Sequence, residues 1–331
     1  MHANTGDWSG QRVSLSLHGG TAVLRLFNPL LGYMDETMES ELAHALDRLE
    51  RWPGARGVVL TGRDTGMFVR HYDVAVLHQR AQALRGRGKT FSLDRPLGPA
   101  GIHRCLERMD KSPLLFIAAI NGVAMGGGFQ LALGCDIRLV QSGDHAMGLP
   151  ELNLGLLPGA SGTQVLARML GTGRASSPRL TAKLFNPQKV VAAGLESASV
   201  DHVLERALAL GRKLEAVPAR ACAHIKYLVR NAGRWSEAEG LAAERTLFCD
   251  CLVDAAAQTP MEAVAPGQRK ITDPPPATVR AVSPPDAPQC ATRQQRSRPP
   301  PTQPLHAMQK GLLWPAPGDC RRTELMDKAA L

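Results

Sequence analysis

No apolar run in the 331 residues approaches the roughly 20 that a membrane-crossing helix needs, so no membrane span is expected. The opening stretch, Met1 to Gly10, has no apolar h-region and predicts no secretory signal. The seven cysteines are scattered, and the one close pair, Cys249 and Cys251, has neither zinc nor redox spacing. That pattern excludes a disulfide framework and a cysteine metal site, and it predicts a reducing, cytoplasmic setting. The formal charge is +9, yet the basic residues are dispersed and no nucleic-acid-binding motif appears. No nucleic-acid partner is expected. A modest basic excess of this kind also suits a ligand that carries several phosphates.

What is present is an α/β pattern organised around residues 114–170. Leu114 to Ile120 is an unbroken apolar run behind Pro113, the length of a strand buried on both faces. Asn121-Gly122 turns the chain, and Gly126, Gly127 and Gly128 lead into Phe129-Gln-Leu-Ala-Leu, which reads as a helix start. Glycines there let a ligand approach the backbone and aim unpaired amides at it. Before this stretch, Val13–Leu17 and Ala22–Leu26 flank His18-Gly-Gly as a hairpin. Asp35 is placed to cap a helix whose apolar face is Met38, Leu42, Ala45, Leu46 and Leu49. Gly57 to Thr61 reads as a second buried strand, and strand, helix, strand in sequence argues for parallel pairing with crossovers. Asp136 to Val140 predicts another strand, with Asp136 satisfying backbone groups at its start, and Thr163 to Leu170 a helix. Beyond Leu180 the pattern is mainly helical, with Pro218 at a helix start. From Pro274 to Leu331 the chain holds half of its 24 prolines and few aliphatic residues, a composition that predicts a disordered tail.

Ala118-Ala-Ile-Asn-Gly-Val-Ala-Met-Gly-Gly-Gly-Phe-Gln-Leu-Ala-Leu-Gly-Cys-Asp-Ile-Arg resembles the signature of the crotonase superfamily, the enoyl-CoA hydratase/isomerase family. Gly148-Leu-Pro-Glu-Leu-Asn-Leu-Gly-Leu-Leu-Pro-Gly-Ala-Ser-Gly-Thr-Gln is similar to the family's second signature. The resemblance covers roughly residues 12–270. It implies a crotonase (ClpP-like) spiral of β-β-α units over 1–200. A C-terminal helical trimerisation region over 201–273 and the Pro-rich tail over 274–331 follow. It further implies a homotrimer or homohexamer acting on an acyl-CoA thioester, with coenzyme A as part of the substrate and no other cofactor or metal.

Chemistry in this superfamily rests on a thioester carbonyl held by two backbone amides, which stabilise an enolate. Residue by residue, the resemblance assigns those amides to Gly127 and Tyr72. The second lies in Met67-Phe-Val-Arg-His-Tyr-Asp, where His71 stands at a usual glycine, so strain or a re-aimed loop is expected there. Val69, Arg70, His71, Asp73 and Gly126 are expected around the coenzyme A thioester. His71, Tyr72 and Asp73 also read as a separate acid/base cluster. Cations such as Arg80, Arg85 and Arg87 are placed either to meet phosphates or to form a solvated face. Lys226 reads either as a phosphate ligand or as an ordinary exposed lysine. Hydratases of the family carry two glutamates. One position is Glu151 here, after Pro150; the other is Gln130, which cannot carry a proton near neutral pH. Moving a double bond from the 3,4 to the 2,3 position needs one base, so a single Glu151 predicts an isomerase. Hydration, dehydration or decarboxylation with Gln130 orienting water or a carboxylate is the alternative, and a non-catalytic acyl-CoA-binding protein is the third.

Overall fold

The computed structural model describes residues 6–29, 31–180, 182–195, 198–267 and 269–273, and not the side chains of 177–180. The tail over 274–331 lies outside the described residues. In chain order the first elements are β1 (Trp8–Ser9), β2 (Val13–His18), β3 (Thr21–Leu26), α1 (Glu36–Glu50), β4 (Gly57–Gly62) and β5 (Gly66–Val69). Next come α2 (Val74–Gly86), α3 (Ile102–Lys111), β6 (Leu115–Ile120), β7 (Gly122–Met125), α4 (Gly127–Leu133), β8 (Ile137–Gln141) and β9 (Met147–Gly148). A 3-10 turn at Glu151–Leu154 precedes α5 (Gly162–Leu180), β10 (Leu184–Phe185), α6 (Pro187–Ala192) and β11 (Ala198–Val200). The chain then runs through α7 (Val203–Glu215), α8 (Ala219–Asn231), α9 (Glu237–Leu252) and α10 (Ala255–Val264).

Two sheets share these strands. One has the order β1-β2-β3-β4-β6-β8-β11, antiparallel through the β2–β3 hairpin and parallel from β3 to β11. The other runs β10-β9-β7-β5. From β4 to β9, successive strands go alternately to the first sheet and the second, and helices carry the chain back. This is the β-β-α spiral of the crotonase fold. The turn at Asn121 makes the switch: its side chain accepts from the Gly62 amide at 2.9 Å and donates to the carbonyls of Gly62 and Asp64, lacing the ends of β4 and β6.

Burial follows the alternation of β6. Phe116, Ala118 and Ile120 face the main core with α1 and α3, while Ile117 and Ala119 face Val23, Val59 and the α7 residues Val203 and Ala207. Both faces are therefore covered, as a strand without polar positions requires. Asp35 caps α1 by accepting from the Met38 amide at 2.8 Å, and the apolar stripe expected for that helix is buried. Each buried Met or Leu of this stripe contributes about 1.5–3 kcal/mol. The short strands of the second sheet, β5, β7, β9 and β10, are additions to the elements legible in the sequence.

Candidate active site

The end of β7 and the start of α4 are built on glycine for two separate reasons. Gly126 has φ +49°, and a side chain there would stand 3.3 Å from Glu151 Oε1 and 3.5 Å from His71 Cβ. At Gly128 a Cβ would meet the Val69 carbonyl at 2.2 Å, so α4 packs directly on the β5 backbone. Gly127 opens α4, where an amide has no intrahelical acceptor, and its N–H donates to no carbonyl among the described residues.

The second loop is held by a short parallel bridge between Met34 and Tyr72. Met34 N–H donates to the His71 carbonyl and Asp73 N–H to the Met34 carbonyl, both at 2.8 Å. Such a bridge uses the residues on either side of Tyr72, so the Tyr72 amide lies on the face away from Met34. Tyr72 rests against Gly127, whose Cβ position is 3.8 Å from Tyr72 Cβ. The strain expected at His71 is absent: it is not among the positive-φ residues. Its ring stacks on Tyr33 at 4.5 Å, and Nδ1 lies 2.8 Å from the Tyr72 carbonyl. Asp73 is committed elsewhere, capping α2 through the Ala75 and Val76 amides.

Gln130, buried on α4, is fixed on both sides of its amide. Its Oε1 accepts from the Ala160 amide at 2.7 Å and the Gly162 amide at 3.0 Å. The intervening Ser161 has φ +74°, a conformation that turns neighbouring amides toward one acceptor. These two donors orient the side chain, so Nε2 faces Glu151 and donates to Oε1 at 2.9 Å. Glu151 Oε2 is buried and has no hydrogen-bond partner among the described residues. Burial raises the Glu151 pKa above the ordinary carboxylate range, against the opposing pull of hydrogen bonds from its own backbone and Gln130.

These groups converge on one cleft of about 710 Å³. His71, Tyr72, Gly126, Gly127, Gln130 and Glu151 all line it, and Ile102, Leu154, Leu156 and Leu157 supply an apolar wall. Val69 lies beneath α4 against Gly128, while the Arg70 backbone bonds to Gly32 and Met125. Neither lines the cleft, nor does Asp73.

Lys226 must be corrected: it is neither a phosphate ligand nor an exposed lysine. It is 6% exposed, with Nζ donating to the Met109 and Leu114 carbonyls at 2.7 Å each and paired with Asp136 at 3.0 Å. Its position on α8 gave no hint that the helix packs there. The cleft also contains residues that the sequence did not single out: Glu39 of α1 and His103 of α3. Arg80, named only as one of several cations, joins them and pairs with Glu36. Glu39 sits within the apolar stripe of α1 with no motif around it, so only its tertiary position reveals it.

The enoyl-CoA hydratase/isomerase family profile matches residues 17–265. The chain is 30% identical over 227 residues to a probable enoyl-CoA hydratase of Bacillus subtilis (strain 168), covering 66% of this chain and 82% of that protein. It is 42% identical over 135 residues to the 2,3-dehydroadipyl-CoA hydratase of Escherichia coli (strain K12), covering 40% of this chain and about half, 52%, of that one. The fold is similar to that of an enoyl-CoA hydratase from Geobacillus kaustophilus HTA426, with a TM-score of 0.70 at 24% identity, over 78% of this chain and 96% of the other. With the Gly127 and Tyr72 amides beside Glu151 at one cleft and this match in hand, the chain belongs to the enoyl-CoA hydratase/isomerase family of the crotonase superfamily.

Proposed function

We propose that this protein isomerises an enoyl-CoA, moving the double bond from the 3,4 to the 2,3 position, with Glu151 as the single acid/base. The observation that carries this reading is the division of labour between Glu151 and Gln130. Glu151 lines the cleft and has one oxygen without a hydrogen-bond partner, whereas Gln130 has both sides of its amide engaged and no titrating proton. The thioester oxygen sits between the Gly127 and Tyr72 amides. Glu151 carboxylate removes a proton from C2, and the electron pair moves onto the thioester oxygen as a dienolate. The resulting acid returns the proton at C4, the electrons close a 2,3 double bond, and Glu151 is again a carboxylate. Fixed amide dipoles stabilise the dienolate without reorganisation. A raised carboxyl pKa narrows the gap to the carbon acid and suits both half-steps.

Hydration is the second reading, favoured by the names of the relatives above. It needs a second group to move a proton to or from water, with the remaining Nε2 hydrogen of Gln130 holding that water. Following double-bond migration and water addition separately, on 3-enoyl-CoA and 2-enoyl-CoA of matched length, tests the choice. Migration without hydration supports the isomerase, and hydration at a comparable rate removes it.

Coenzyme A as part of the substrate is the ligand in this proposal. The 201–273 helices serve as a homo-oligomerisation region. Ile225, Val229, Phe248 and Val253 are 62–80% exposed there, an apolar surface that a trimer or hexamer would cover. Among the described residues no helix is long and apolar enough to cross a membrane, and the proposed setting is the cytoplasm.

A further inference from the structure

Resting on the acyl-CoA reading above, we propose that the cleft selects acyl groups that end in an uncharged hydrogen-bond donor such as a hydroxyl. Glu39 and the Tyr72 hydroxyl form the selecting pair. Tyr72 lines the cleft, with its amide assigned to the reacting end and its ring carrying a hydroxyl. That hydroxyl is buried beside Glu39 and Arg80, without a hydrogen bond of normal geometry to either or to any other described residue. Burial pushes its pKa up to about 12, so it remains a neutral donor and acceptor.

Glu39 is held by design of the α3 start. Gly101 has φ +52°, and a Cβ there would overlap Glu39 Oε2 at 2.2 Å, so glycine leaves a slot for the carboxylate. The carboxylate accepts the Ile102 amide of α3, yet burial still raises its pKa. Extending a hydrocarbon chain over this pair would remove remaining water from the Glu39 carboxylate and leave the buried Tyr72 hydroxyl without a partner. A terminal hydroxyl would donate to Glu39 and meet the Tyr72 hydroxyl. A terminal carboxylate would face Glu39, while Arg80, the arginine that lines the cleft, is already bound by Glu36. The expected order is therefore hydroxyl over methyl over carboxylate, because a pocket built for a hydroxyl discriminates strongly against groups that leave it unpaired.

The test uses the full chain and three saturated probes that carry no double bond: 6-hydroxyhexanoyl-CoA, hexanoyl-CoA and adipyl-CoA. Dissociation constants are measured by calorimetry for wild type, Glu39→Gln and Tyr72→Phe. The hydroxylated probe is expected to bind wild type about tenfold or more tightly than hexanoyl-CoA. Tyr72→Phe should reduce that preference, and Glu39→Gln should reduce the discrimination against adipyl-CoA. Equal affinity for the three probes, or tightest binding of adipyl-CoA, overturns the proposal while leaving the acyl-CoA reading intact. A hydroxyl preference unchanged in both variants also overturns the assignment to this pair. Failure of all three probes to bind removes the acyl-CoA reading, and this proposal with it.

Discussion

Asp136, just before β8, and Glu151, at the start of the 3-10 turn, are both half-buried carboxylates, and their surroundings are opposite. Asp136 is saturated. Oδ2 accepts from the Phe116 amide at 2.8 Å and pairs with Lys226 at 3.0 Å, while Oδ1 accepts from Arg230 Nη2 at 2.7 Å and Nε at 3.1 Å. Glu151 has only Gln130 and its own backbone as donors, and one oxygen, Oε2, left over. A carboxylate with every lone pair engaged by fixed cations and amides is a joint, here fastening α8 to the start of β6 and β8. One that is desolvated and under-bonded is in tension with its charge, and a proton relieves that tension. Burial alone does not distinguish structure from chemistry; the count of satisfied oxygens does.

The comparison breaks most visibly on the Asp136 side. Lys226→Met should destabilise the fold by about 3–5 kcal/mol, because it leaves a buried carboxylate with one cation fewer and two carbonyls without a donor. Denaturant melts measure this, and the surviving folded fraction should bind acyl-CoA with wild-type affinity. A mild stability loss together with weakened CoA binding would instead restore Lys226 as a ligand.

Gln130→Glu sharpens the Glu151 side. The new carboxylate would keep the Ala160 and Gly162 amides but lose the donor to Glu151 and place a like charge beside it, raising the apparent pKa of the pair. Water addition to 2-enoyl-CoA should then rise relative to double-bond migration by roughly tenfold or more, as a second acid/base enters. An unchanged ratio would mean that the identity of residue 130 does not decide the reaction.

The smallest effect is a pH dependence of stability. The folded-state pKa of Glu151 is raised, so its contribution to stability is fully present below the unfolded carboxylate pKa and is lost as pH rises through the folded value. Glu151→Gln should therefore melt at a slightly higher temperature than wild type at pH 7, with the advantage shrinking toward pH 4. Melting curves across that interval check it. A variant less stable at pH 7 would show that the carboxylate serves the fold.

Much of the first sheet was legible because β4 and β6 are apolar runs buried on both faces and β2 and β3 flank a Gly-Gly turn, and α1 because Asp35 and a regular stripe mark it. The second sheet was not. β5, β7, β9 and β10 have two to four residues each, too short for an alternation to register. At the site, Gly127, Gln130 and Glu151 were readable from two motifs, and Tyr72 from its place in a loop. Lys226 and Glu39 were misjudged or missed for one reason: their meaning depends on what packs across from them. Lys226 meets carbonyls more than 110 residues away in sequence. Glu39 meets Gly101, a glycine outside any motif.

The most direct test of a Glu151 proton shuttle beneath two amides is exchange at C2 of a saturated thioester. Hexanoyl-CoA in deuterated water offers the α-proton and the carbonyl without a double bond to move or hydrate. Wild type should introduce deuterium at C2. Glu151→Gln should bind the thioester equally well and lose at least about 100-fold of the exchange rate, the lower range for a positioned general base. Exchange at the wild-type rate in Glu151→Gln, or none in a wild-type protein that binds the thioester, would contradict the account.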